Sequence, residues 1–270
     1  MKKRILILAT ALAILSFLII GFTNANNETT AGSTSLQNKT LALENKISEG
    51  PIIITIPDLY YGVDTRFTAI KKRDIDKATT IYDFLNEGEK QQIAHVNSVD
   101  VITIKNNQQS DMRQYGTSDR FTDAQLKLIR STPYFNHFTI RTEFKEKNTE
   151  TGKLEERFFG PHITVVPETQ ATYIDGKVAL ITYLKDYSRN DMHIIKDNKL
   201  GALKISFKIT KEGTVSNVKH DAMTTVYQSI DEKFMTLIKN IPGKWTPAKN
   251  SKGEKIEQEL VFTFGPANGC

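Results

Sequence analysis

Seven residues, Leu203–Ile209 (LKISFKI), place Leu203, Ile205, Phe207 and Ile209 on one side of an extended chain and Lys204, Ser206 and Lys208 on the other. A period of two fits a strand buried on one face only, so this half of the chain must supply a second layer for that face. The flanking segments provide it. Upstream, Asp175 stands where it can cap a helix whose apolar positions Val178, Ile181 and Leu184 share one face and which ends near Ser188. Downstream, the TKEGT turn around Gly213 sends the chain back through Val215 and Val218 to about Met223. Ser229 and Glu232 then have capping-box spacing, and Tyr227, Ile230, Phe234, Leu237, Ile238 and Ile241 follow helical spacing as far as Pro242 and Gly243. Alternation returns at Ile256, Leu260, Phe262 and Phe264. The order is helix, strand, strand, helix, strand.

The first half reads less regularly. PIIITIP from Pro51 is a short apolar strand, and Ser98–Lys105 (SVDVITIK) is another. Between them, Asp76–Lys90 suits one helix stopped near Gly88. In DRFTDAQLKLIRSTP, Thr122 caps a helix with Gln125 three residues on, Phe121 and Leu126 occupy the positions of a hydrophobic staple, and Pro133 ends it. Next, Phe138, Ile140, Thr142 and Phe144 alternate, NTETGK turns, and LEERFF and HITVVP return as strands. The fold class is therefore α+β, with a mixed α+β or mostly β domain over residues 51–167 preceding a second domain over 168–266.

The first 25 residues, MKKRILILATALAILSFLIIGFTNA, join a basic start to an apolar run from Ile5 to Phe22. Such a segment enters a membrane, either as a signal peptide cut after Ala25 or as an anchor over residues 5–22. Both place the rest of the chain outside the cytoplasm. Residues 26–50, rich in Asn, Thr, Ser and Glu, read as a flexible tether. The one cysteine, Cys270, rules out an internal disulfide. The net charge of +5 comes from 36 basic and 31 acidic residues without a basic stripe, which argues against nucleic-acid binding.

The single tryptophan lies in IPGKWTPAKNSKGEKIEQELVFTFG, just after the second helix. Together with KEGTVSNV, this stretch makes residues 171–265 resemble the C-terminal domain of the TonB family. The resemblance implies two helices packed on a small antiparallel sheet whose last strand lies at an edge. There, in the periplasm that the resemblance implies, an extended peptide of an outer-membrane transporter or other envelope protein adds as one more strand. Carried onto this chain, the partner-binding strand is Glu257, Gln258, Glu259, Leu260, Val261, Phe262, Thr263 and Phe264. Inner-membrane motor proteins are further partners that the resemblance implies, and a homodimer stays open. Residues 1–25 contain no histidine, and no proline precedes Pro51. Both depart from the energy-transducing pattern of a membrane-helix histidine and a proline-rich spacer. A structural or sensory envelope module without energy transduction is the alternative.

No chemistry competes with binding. His95, His137, His162, His193 and His220 are scattered without metal-ligand spacing, and no nucleophile elbow, phosphate loop or dinucleotide fingerprint is present. Ser188 with His193 lacks a third orienting group. The expectation is a non-enzyme without cofactor. Trp245, Phe207, Phe234, Phe262 and Phe264 read as core.

Overall fold

The computed structural model describes residues 58–196, 199–221 and 223–267, all within one compact unit. The signal or anchor segment, the tether, the Pro51–Pro57 strand and Cys270 lie outside the described residues. In chain order the elements are β1 (Leu59–Asp64), β2 (Thr68–Lys71), α1 (Lys72–Lys77), a 3-10 turn (Ile81–Phe84), α2 (Glu87–Gln92), β3 (His95–Lys105), β4 (Gln108–Gly116), α3 (Asp123–Ser131), β5 (His137–Lys147), β6 (Leu154–Phe159) and β7 (His162–Val166). There follow β8 (Thr172–Tyr173), α4 (Gly176–Ser188), a second 3-10 turn (Arg189–Ile194), β9 (Leu203–Ile209), β10 (Val215–His220), α5 (Gln228–Lys239), β11 (Trp245–Thr246), β12 (Ala248–Lys249), β13 (Lys255–Ile256) and β14 (Gln258–Pro266). The protein is mixed α+β, as the hydrophobic patterning requires.

Two sheets dominate. The first has the order β2-β7-β5-β3-β4, with β6 also paired to β5, and only β2 runs parallel to its neighbour. Its core gathers Ile75, Val99, Val101, Ile129, Phe138, Ile140, Ile163 and Val165 beneath α1 and α3. Thr122 caps α3 with the reciprocal Gln125 bond, and the helix stops before Pro133. The single helix expected over residues 76–90 is instead three short pieces. Asp83 reaches back to the Thr79 and Thr80 amides and starts the 3-10 turn, while Asn86 and Glu89 close a second capping box that starts α2. Each cap supplies side-chain acceptors for local main-chain N–H groups, which compete with helix continuation. Gly88 sits inside α2 and stops nothing.

The second sheet is antiparallel, with the order β1-β14-β9-β10. Leu203, Ile205, Phe207 and Ile209 of β9 are fully buried against α4 and α5, together with Phe262 and Phe264 of β14. The Phe234 ring of α5 lies 4.9 Å from Phe262 and 4.5 Å from Phe264. Three details of the helices differ from expectation, the first being that Asp175, although it stands at the N-cap of α4, makes no capping hydrogen bond among the described residues. Helix α4 buries Leu180, Leu184 and Ser188, leaving Val178 81% exposed. Ser229 lies within α5, whose first turn is tied down instead by Thr225, whose amide and hydroxyl both donate to Asp231 Oδ1.

Trp245 fills the corner where β8, β9 and α4 meet, 6% exposed, edge-on to Tyr173 at 5.5 Å and to Phe207 at 6.1 Å. Its backbone runs directly over the Gly213 turn, and its N–H donates to the Gly213 carbonyl. Gly213 has φ +79°, and a Cβ there would overlap the Trp245 carbonyl oxygen, so the turn tolerates only glycine on both counts. The two stretches that carry the sequence resemblance thus touch through their main chains.

Candidate functional site

The strand carrying the expected partner-binding residues is not an edge. One flank of β14 pairs with β9 from Gln258 to Phe264, and the other pairs with β1 from Val261 to Pro266. Val261, Phe262, Thr263 and Phe264 therefore have both main-chain flanks occupied, the outer one by the protein's own Asp64, Val63, Gly62 and Tyr61. Glu257 precedes the strand and pairs with Lys208. The Gln258 side chain is buried and accepts from the Ala171 amide. Glu259 is bound by Arg66, and Leu260 packs in the core. The eight residues lie together, but they offer no free flank from Val261 to Phe264.

β1 earns that position through its side chains. Tyr61 sits edge-on against Phe264 at 5.0 Å and Phe234 at 5.9 Å, and Val63 is buried. The ring of Tyr60 lies over Gly62, where a Cβ would collide with it. Directly after β1, Arg66 donates to Asp221 at 2.5 Å and to Glu259 at 3.0 and 3.3 Å. Phe67 then lies 5.1 Å from the His137 ring and 5.0 Å from that of His162. The Phe67 N–H donates to Thr164 Oγ1, and the same hydroxyl is hydrogen-bonded to His137 Nδ1 at 3.0 Å. Burial, assisted by the charge of Arg66, depresses the His137 pKa to about 4. His137 is thus part of a polar seam between β1 and the six-stranded sheet. His95, His162, His193 and His220 are exposed.

The sheet's new edge is β1 itself. Ala267 N–H donates to the Asp58 carbonyl, so by the alternation of an antiparallel ladder Tyr60, Gly62 and Asp64 direct their main-chain groups at β14. Leu59, Tyr61 and Val63 direct theirs outward, where no strand pairs with them among the described residues. Every other edge carries a protecting feature. β10 has a bulge between Ser216 and Lys219 with Asn217 at φ 49°. β4 has a register break and exposed Asp111 and Arg113, β6 carries Glu155, Glu156 and Arg157, and β2 is four residues long. β1 keeps six residues in unbroken register with no proline or bulge, and its one charge, Asp64, is held by Lys177 of α4 at 2.7 Å.

A cavity of about 380 Å³ opens beside the end of β1, walled by Val63, Tyr173, Leu180, Trp245 and Leu260 with Ala69 at its side. Gly176 and Lys177 at the start of α4 also line it. The indole N–H of Trp245 is buried and has no acceptor among the described residues. Sequence reasoning missed both the edge and the cavity. The alternation of Leu59, Tyr61 and Val63 marks a strand, but nothing local assigns it to a sheet whose other members begin 139 residues later at Leu203. Ser188 and His193 are not brought together: the Ser188 hydroxyl bonds the Lys185 carbonyl and Tyr61, and His193 bonds Asn190. Among the described residues no group of three His, Cys, Asp or Glu is arranged to hold a metal, and no helix is long and apolar enough to cross a membrane. Comparison of the chain with protein-family models, with curated proteins and with solved structures finds no match.

Proposed function

We propose that the protein is an exported, non-enzymatic binding module of the cell envelope, which takes an extended segment of another envelope protein as an added strand. The guest position is the outer flank of β1. One observation carries this: β1 is the only strand among the described residues that ends a sheet without a bulge, a charge on its interior or a truncated length. Natural sheets guard such edges unless something covers them. The TonB-like pattern of residues 171–265 supports the same class of activity, with a transporter of the outer membrane as the partner that it implies.

A second reading, an assembly module that transmits no force, draws on the same strand. With β1 on β14, the sheet is complete before any guest arrives. The two readings share the docking edge and differ in whether force reaches the partner, which would require the N-terminal segment to stay in the membrane.

Photo-crosslinking in cells tests the docking edge with the full chain. A benzophenone amino acid at Tyr60 or at Val178, both exposed beside the edge, should give a discrete adduct with an envelope protein. The same group at Lys219 on the guarded β10 edge should give none. Adducts from Lys219 alone would place the partner on the opposite side and reject the reading.

A further inference from the structure

We propose that the segment docking on β1 carries a bulky apolar side chain and a carboxylate two residues apart on one face. The apolar group fills the cavity beside Trp245 and the carboxylate meets Lys185. This rests on the strand-addition reading above and specifies its partner's chemistry.

In a strand added to β1, alternate side chains point to the helix-covered side of the sheet, in line with those of Leu59, Tyr61 and Val63. The guest residue beside Val63 then stands at the cavity whose wall includes Val63, Leu180 and Trp245. At about 380 Å³ the cavity has room for one phenyl or leucyl group, and its lining is mostly aliphatic and aromatic. Two residues along, the guest side chain on the same face passes Tyr61. The Lys185 ammonium stands 5.4 Å over that ring and has no carboxylate partner among the described residues. Helix α4 runs antiparallel to β1, because Lys177 meets Asp64 at one end and Ser188 meets Tyr61 at the other. The helix thereby runs along the edge from Asp64 to Tyr61, with the charge of Lys177 balanced by Asp64 and that of Lys185 left to face the guest. Such an edge selects acidic over basic segments.

Trp245 is the only tryptophan of the chain, so its emission reports on the cavity alone. The probe is a capped octapeptide of alternating threonine and valine, with glutamate and phenylalanine substituted two positions apart, made in both orders. Binding should change Trp245 emission saturably and slow exchange of the Leu59, Tyr61 and Val63 amides. Alanine for phenylalanine, or lysine for glutamate, should weaken binding about tenfold or more. Ala69→Phe, which plugs the cavity from an exposed position, should abolish the emission change and leave folding intact. Protected amides with unchanged emission, or equal affinity for the phenylalanine and alanine peptides, would overturn the anchor and leave strand addition standing. No protection of the three amides would overturn both. Protection that appears with protein concentration alone would make a second copy the occupant and reject an acidic guest.

Discussion

At the scale of single residues, His137 shows how a position without a motif acquires a role from its surroundings. Its ring is wedged against Phe67 and bonded to Thr164, beside the Arg66 guanidinium, and its pKa falls from 6.5 to about 4. Between these values the unfolded chain binds a proton that the folded chain does not, so stability rises with pH across that window and is lost as pH falls from about 6.5 towards 4. Urea midpoints at pH 7 and pH 4.5 should therefore differ more in the native protein than in a His137→Gln variant. An equal difference would show that His137 titrates normally in the fold. Trp245 and Gly213 make the complementary point. Their residue types were legible as a core plug and a turn, and the structure adds the reason they occur together, a main-chain contact that leaves no space for a Cβ.

Among the elements, strands with a period of two are placed as their sequences imply: β9, β14 and β5 bury the residues that alternate. Helices are less faithful. The spacing of Val178, Ile181 and Leu184 and that of Leu180, Leu184 and Ser188 both suit a helix, and only the position of β1 beneath α4 selects the second set, which includes the Ser188 hydroxyl bonded to Tyr61. The link after β1 is decided similarly. Arg66, Asp221 and Glu259 lie far apart in sequence, yet Arg66 and Asp221 are each only 13% exposed in their side chains and joined directly. Removing Arg66 would take the cation from between two carboxylates in a partly dry seam, Asp221 keeping its bond from the Asn107 side-chain amide. Arg66→Met should cost about 2–3 kcal/mol of stability by urea unfolding, and adding Glu259→Gln should recover part of it. A change below about 0.5 kcal/mol would mean that the seam is well hydrated.

For the whole molecule the decisive fact is that a strand from the first half completes the sheet of the second. Residues 168–266 contain the helices and three of the four strands, and β1 supplies the fourth together with the aromatic contact of Tyr61. If β1 is integral, native-state hydrogen exchange should release the Tyr60, Gly62 and Asp64 amides together with those of β9, through global unfolding. Release at a free energy several kcal/mol lower would make β1 a detachable strand and return Val261–Phe264 to the role of docking edge. Periodicity, caps and turn residues sufficed to determine the α+β class, the helix-strand-strand-helix-strand order and most of the core, because each depends on neighbours within about ten positions. Tertiary structure alone decided which strand is the edge, which helix face is buried and where the cavity lies. Those depend on pairing between segments some two hundred residues apart, and main-chain hydrogen bonds, being the same for every residue type, leave no local mark of their partner.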